Sequence, residues 1–129
     1  MNKKILLIDD DKFILQMYRT KLEKKGLNVE VFLDTDGDIA QRVLDAKPDL
    51  ITLDIVIPNR DGLETARILK ADDRTKNIPI IFLTNQGQLK DVEDAKQAGC
   101  SAYIIKATTK PYETVDYLVS FSDNIHIPA

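Results

Sequence analysis

Pro48-Asp49-Leu50-Ile51-Thr52-Leu53-Asp54 is a short apolar run that ends in a carboxylate. Its four central residues have the length and character of a strand covered on both faces. Lys4-Ile5-Leu6-Leu7-Ile8 reads the same way and runs into Asp9-Asp10-Asp11. In a doubly wound α/β domain, the carboxyl ends of neighbouring strands open onto one crevice, so these acids are expected to converge there. Clustered carboxylates suit a hard, oxygen-seeking cation. Mg²⁺ fits best, since it takes one or two carboxylates, keeps several waters and bridges to phosphate.

Outward from these two runs, the chain repeats one unit five times. Each apolar run is followed by an amphipathic stretch: Lys12 to about Lys25, closed by Gly26; Thr35 to Ala46 after Asn28 to Leu33; and Gly62 to Asp72 after Asp49 to Leu53. Ile78 to Leu83 then precedes Leu89 to Ala98, and Ala102 to Ile105 precedes Tyr112 to about Ser122. Strict alternation predicts an α/β domain with a five-stranded parallel sheet, helices on both faces and right-handed crossovers. Five units fit the strand order 2-1-3-4-5 of the flavodoxin-like class, a three-layer (βα)5 domain. A closed eight-fold barrel needs about twice the length.

Composition narrows the function classes. The 129 residues make one domain, read here as 1–124 with a fraying tail at 125–129, and 43% hydrophobic content closes a core unaided. With 18 basic against 21 acidic residues the net charge is −3, and only Lys3-Lys4 and Lys24-Lys25 stand out as basic pairs, which argues against direct nucleic-acid binding. The N-terminus lacks a signal-peptide core and no run is long enough to span a membrane, so a soluble cytoplasmic protein is expected. Cys100 is the only cysteine, which excludes an internal disulfide or thiolate metal cage and reads as packing. His126 stands alone in the tail, without partners for a metal or phosphoryl role.

The carboxyl ends of the strands carry Asp9 and Asp10, Asp54, Thr84 and Lys106. Three carboxylates, a hydroxyl and an ammonium suit phosphoryl transfer, which depends on positioning and charge. Asp10 and Asp54 would hold Mg²⁺, Thr84 and Lys106 would contact phosphoryl oxygens, and Asp54 would attack to give an acyl phosphate. Taken singly, Lys106 is a surface lysine and Thr84 a strand-end cap; together they are a site.

Leu7-Ile8-Asp9-Asp10-Asp11, Leu53-Asp54-Ile55-Val56-Ile57-Pro58-Asn59-Arg60-Asp61-Gly62, Leu83-Thr84 and Tyr103-Ile104-Ile105-Lys106 together resemble the receiver domain of two-component response regulators. The match covers nearly the whole chain. Asp54 follows Asp10 by 44 residues, Thr84 follows Asp54 by 30 and Lys106 follows Thr84 by 22, as is usual in that family. The resemblance implies a phosphorylation-dependent switch. Asp54 would accept a phosphoryl group from a histidine kinase or histidine phosphotransfer protein, with no other catalysis than its own phosphorylation and dephosphorylation. Asp10, Asp54 and the Val56 backbone carbonyl would bind Mg²⁺, with Asp9 helping through water. Thr84 and Tyr103 would form the switch, and the last helix-strand-helix segment, roughly Leu89 to Ser122, the output face. That face would meet a downstream target or a second copy of the chain. No output domain follows, so the expected signal passes through protein contacts.

Several residues need separate readings. Asp11 suits a helix N-cap, and Asp61-Gly62 a turn into the third helix. Ile14, Tyr18 and Leu22 form a helical core stripe, leaving Phe13, Leu15 and Met17 for packing or for the phosphodonor. Val56 and Gln86 flank the site at positions that tune the lifetime of the phosphorylated form in the family, and apolar Val56 would hinder an attacking water. Asn85 replaces the small residue common after the threonine. The family's proline after the lysine is missing: the sequence reads Lys106-Ala107-Thr108-Thr109-Lys110-Pro111. A cis bond before Ala107 would cost about 2.5 to 4 kcal/mol, so the loop either stays trans and is rebuilt or tolerates strain. Pro111 is expected in the first turn of the fifth helix.

Two other readings use the same residues. Asp9-x-Asp11 superficially fits a Mg²⁺-dependent phosphatase with Asp9 as nucleophile, though Phe13 and the lack of a cap insertion depart from it. The Ala107 departure leaves room for a degenerate receiver that only binds proteins.

Overall fold

The computed structural model describes residues 3–125, so the tail reading and that of His126 lie, apart from Ile125, outside the described residues. Five strands form one parallel sheet: β1 Lys4–Ile8, β2 Asn28–Phe32, β3 Leu50–Leu53, β4 Ile80–Thr84 and β5 Ala102–Ile105. Between and after them run α1 Lys12–Lys24, α2 Ile39–Ala46, α3 Gly62–Ala71, α4 Leu89–Gln97 and α5 Pro111–Asp123. The order across the sheet is β2-β1-β3-β4-β5, as the alternation requires.

The central strands β1, β3 and β4 read as unbroken apolar runs because helices cover both of their faces. Alternate residues of each strand feed different layers. Leu6, Ile8, Ile51, Leu53, Ile80 and Phe82 pack with Ile39 and Val43 of α2, Ala66 and Leu69 of α3, and Ala95 of α4. Ile5, Leu7, Leu50, Ile81 and Leu83 pack on the opposite face with Leu15, Tyr18 and Leu22 of α1 and Val115 and Leu118 of α5. Register brings the site together: Ile8 pairs with Leu53 on β1 and β3, and Leu53 with Phe82 on β4, so Asp9 and Asp54 leave the sheet side by side.

Two expectations need correction. Helix α2 begins at Ile39, not Thr35, because Asp38 caps it by accepting from the Gln41 N–H at 3.2 Å and the preceding residues form a loop. Strand β4 begins at Ile80, not Ile78, since Pro79 has no N–H to give a ladder. In α1, Tyr18 and Leu22 are buried and half-buried Ile14 packs against the same core, while Leu15, left open between packing and a donor contact, is buried core. Of the two courses left open for the loop after Lys106, the chain takes the first: the Lys106–Ala107 peptide is trans, like every other described peptide bond, and a 3-10 turn over Lys106–Thr108 rebuilds the loop. Asp11 does cap α1, accepting from the N–H groups of Phe13 and Ile14, and Pro111 opens α5.

Candidate phosphoacceptor and metal site

Asp9, Asp10, Asp54, Val56, Thr84 and Lys106 line one cleft of about 320 Å³ at the carboxyl end of the sheet, with Asp11, Ile14, Asn85 and Gln86 at its border. Tyr103 stands outside it, linked through Gln86. The cleft lies where β1 and β3 end level, Ile8 beside Leu53, while β4 and β5 run on to the paired Thr84 and Ile105, at the carboxyl end of the sheet.

The three carboxylates each place an oxygen so that all three lie within 4.8 Å of one another. Lys106 Nζ reaches over from the end of β5 and donates to Asp9 Oδ2 at 2.8 Å and Asp54 Oδ2 at 3.1 Å. The other Asp9 oxygen accepts from the Asp11 N–H at 2.9 Å, and Asp54 Oδ1 accepts from the Val56 N–H at 3.3 Å. Asp9 and Asp54 are buried and Asp10 is exposed. One ammonium does not neutralise three carboxylates, so the cluster keeps an excess of negative charge. An all-oxygen donor set of this kind fits a hard divalent cation.

Burial pushes the Asp9 carboxyl above the ordinary 3.8, and the bonds from Lys106 and the Asp11 N–H offset this only in part. For Lys106, burial opposes the ammonium, yet the Asp9 and Asp54 carboxylates together outweigh it and hold the amine above its ordinary value. Lys106 is therefore a firm cation at neutral pH. Thr84 is fully buried, and its hydroxyl oxygen accepts from the Gln86 N–H at 3.4 Å. The Tyr103 hydroxyl donates to the Gln86 carbonyl, and burial, with Asp91 and Asp54 nearby, pushes its pKa up to about 12. A chain of two contacts thus runs from Thr84 through Gln86 to β5.

Sequence reasoning missed three supports. A Cβ on Gly62 would stand 2.1 Å from the Asp54 carbonyl oxygen, so only glycine lets α3 start against the backbone of Asp54. The Gly62 N–H also donates to the Ile55 carbonyl at 2.8 Å. Arg60 and Thr35 tie the loop after β3 to the loop after β2, a long-range contact without any local signature.

Residues 5–115 match the response regulator receiver domain family. The DNA-binding dual master transcriptional regulator RpaA of Synechocystis is 35% identical over 115 residues, which cover 89% of this chain and 46% of RpaA. The polar-differentiation response regulator DivK of Brucella anthropi is 33% identical over 115 residues, 86% of this chain and 89% of DivK. This chain thus spans about half of the first relative and most of the second. Among solved structures, the BeF3-activated N-terminal receiver domain of Klebsiella pneumoniae RstA aligns with a TM-score of 0.83 at 27% identity, covering 95% of this chain and all of that one. Fold, strand-end chemistry and these likenesses agree: the chain belongs to the response regulator receiver domain family of two-component signalling.

Proposed function

We propose that the chain is a phosphorylation-dependent switch in which Asp54 accepts a phosphoryl group from a histidine kinase or histidine phosphotransfer protein, with Mg²⁺ as cofactor. The observation that carries this reading is the Asp54 carboxylate, set in an open cleft beside two further carboxylates and 3.1 Å from a lysine ammonium. Asp10, Asp54 and the Val56 carbonyl would hold the cation, with Asp9 helping through water, and it would supply charge against the phosphoryl oxygens.

An Asp54 oxygen forms the new O–P bond as the P–N bond to the donor imidazole breaks, and the imidazole nitrogen keeps the electron pair. The product is an aspartyl phosphate. Lys106, already on Asp54 Oδ2, meets one arriving oxygen, and the Thr84 hydroxyl donates to another. Asp9 and Asp54 are alike in burial and in having one oxygen on Lys106 and the other on a backbone N–H, so the choice of Asp54 as the acceptor rests on its matching the family's phosphoacceptor position. The chain acts only on itself in this scheme, through phosphorylation and hydrolysis at Asp54.

Phe13, 89% exposed at the start of α1, suits a contact to the phosphodonor. Output passes from Thr84 through Gln86 to Tyr103 and on to the face of α4, β5 and α5. There a second cleft of about 460 Å³, lined by Tyr103, Ile105, Thr109 and Tyr117 among others, offers a surface to a target or a second copy.

Beryllofluoride, which mimics a phosphoryl group on a carboxylate, tests the scheme. With Mg²⁺ it should shift the amide resonances of Asp54, Thr84, Lys106 and Tyr103 in the wild type and leave Asp54→Asn unchanged. Equal shifts in both proteins, or none in the wild type, would reject Asp54 as the acceptor.

A further inference from the structure

Arg60 lies six residues beyond Asp54, outside the cleft, yet it makes the densest set of long-range contacts near the site. Its guanidinium donates from Nη1 to the Thr35 carbonyl and to the Gly37 carbonyl, the latter at 3.0 Å. The Thr35 hydroxyl, fully buried, donates back to the Arg60 carbonyl at 2.7 Å. Beside them, Asn59 Nδ2 donates to Asp36 Oδ1 at 3.4 Å. These bonds join two loops more than 20 residues apart in sequence, and those from a cationic donor are the stronger kind.

The loop that Arg60 grips is itself held. Arg42 of α2 donates to Asp34 Oδ1 at 2.8 Å and to the Asp36 carbonyl at 2.9 Å, while its guanidinium carbon lies 4.4 Å from the Phe32 ring centroid. The acids Asp34, Asp36 and Asp38 are thus engaged by a guanidinium, an amide and a helix cap, and they serve as anchors. The gripped segment, residues 55–61, is the one that carries Val56. It has little regular structure: Ile55 and Ile57 are buried, Val56 between them is 57% exposed, and Asn59 takes φ +73°. Gly62 fixes its far end against the Asp54 backbone. The Val56 N–H on Asp54 Oδ1 and the Gly62 N–H on the Ile55 carbonyl hold this segment from the site side, and the Arg60 bonds add a tie from the outer side.

We propose that Arg60 is a positioning residue: by bolting the loop after β3 to Thr35 and Gly37, it fixes the Val56 backbone beside Asp54 before a divalent cation arrives. This inference rests on the reading of Asp54 and the Val56 carbonyl as part of a Mg²⁺ site. A preformed ligand leaves less entropy to be lost on binding, so the clamp acts on cation affinity.

Calorimetric titration of Mg²⁺ into wild type, Arg60→Met, Arg60→Lys and Thr35→Val tests it, with urea midpoints measured in EDTA on the same proteins. Arg60→Met should weaken Mg²⁺ binding about tenfold, the usual scale for losing a group that orients a metal ligand. Thr35→Val should weaken it in the same direction, and Arg60→Lys, which keeps one charged donor, should recover part of the loss. A purely structural role would lower the urea midpoint and leave the Mg²⁺ constant alone. If Arg60→Met and Thr35→Val both bind Mg²⁺ within twofold of a binding-competent wild type, the clamp is overturned while the site reading stands. If the wild type binds no Mg²⁺, both fall together.

Discussion

Asp9 carries a carboxylate into a place where burial disfavours its charge, and its pKa is raised although Lys106 lies 2.8 Å away. The sign of the linkage follows. A carboxyl whose folded pKa lies above the unfolded one binds its proton more tightly when folded, so the fold gains stability as pH falls through that raised value. At neutral pH the ionised group is a net cost, the mark of a residue kept for function. Asp9→Asn should therefore stabilise the metal-free protein at pH 7. Urea denaturation in EDTA checks it, and a lowered midpoint would contradict it. Lys106 has the opposite sign: its contribution is present below the ordinary lysine value of 10.5 and is lost as pH rises through its raised one. Gly62 offers a test of packing. An added Cβ collides with the Asp54 backbone, and Gly62→Ala should cost about 2 to 3 kcal/mol by thermal unfolding; an unchanged midpoint would mean the contact yields freely. At this scale the sequence was informative wherever a residue sits at a strand end. Asp9, Asp10, Asp54, Thr84 and Lys106 come together because neighbouring parallel strands all end on one side of the sheet. Gly62 and Arg60 were not legible, because their roles depend on contacts that only the folded loops create.

The elements were readable from period and punctuation. Continuous apolar runs marked the central strands, and Asp11 and Pro111 marked helix starts by cap and ring chemistry. Failures came where tertiary contacts claimed a residue. Thr35 looked like a helix start, yet its hydroxyl is spent on Arg60 and the helix waits for Asp38. Leu15 stood open between packing and a donor contact, and the fold buries it beside Tyr18 and Leu22 while Ile14 packs half-buried against the same core. Between elements, the Tyr103 hydroxyl bridges β5 to the segment after β4. Tyr103→Phe should lower stability by about 1 kcal/mol and keep Asp54 able to take beryllofluoride. It should also shrink the amide shifts that follow in α4 and α5. Full-sized shifts in that variant would remove Tyr103 from the switch.

For the molecule as a whole, the sheet order follows from five strand-helix repeats and right-handed crossovers. No helix among the described residues is long and apolar enough to cross a membrane. Cys100 is half-buried against the core, and burial pushes its thiol pKa up, in keeping with packing. A sheet that sets acids, hydroxyl and ammonium at one edge and a second cleft along another can separate input from output. In the proposed scheme, chemistry enters at Asp54 and the surface of α4, β5 and α5 reports it. The two ends are joined by few contacts, with Gln86 between Thr84 and Tyr103, so a local change of charge has a short path to follow.

The central claim is that Asp54 takes the phosphoryl group. Intact mass measured after incubation with Mg²⁺ and acetyl phosphate tests it most directly. The wild type should gain the mass of one phosphoryl group, lose it on removal of the donor and gain nothing when EDTA is present, while Asp54→Asn stays unmodified throughout. Label that persists on Asp54→Asn but vanishes from Asp9→Asn would contradict the account and move the chemistry to Asp9. An unmodified wild type that also ignores beryllofluoride would leave a receiver fold that signals by binding alone.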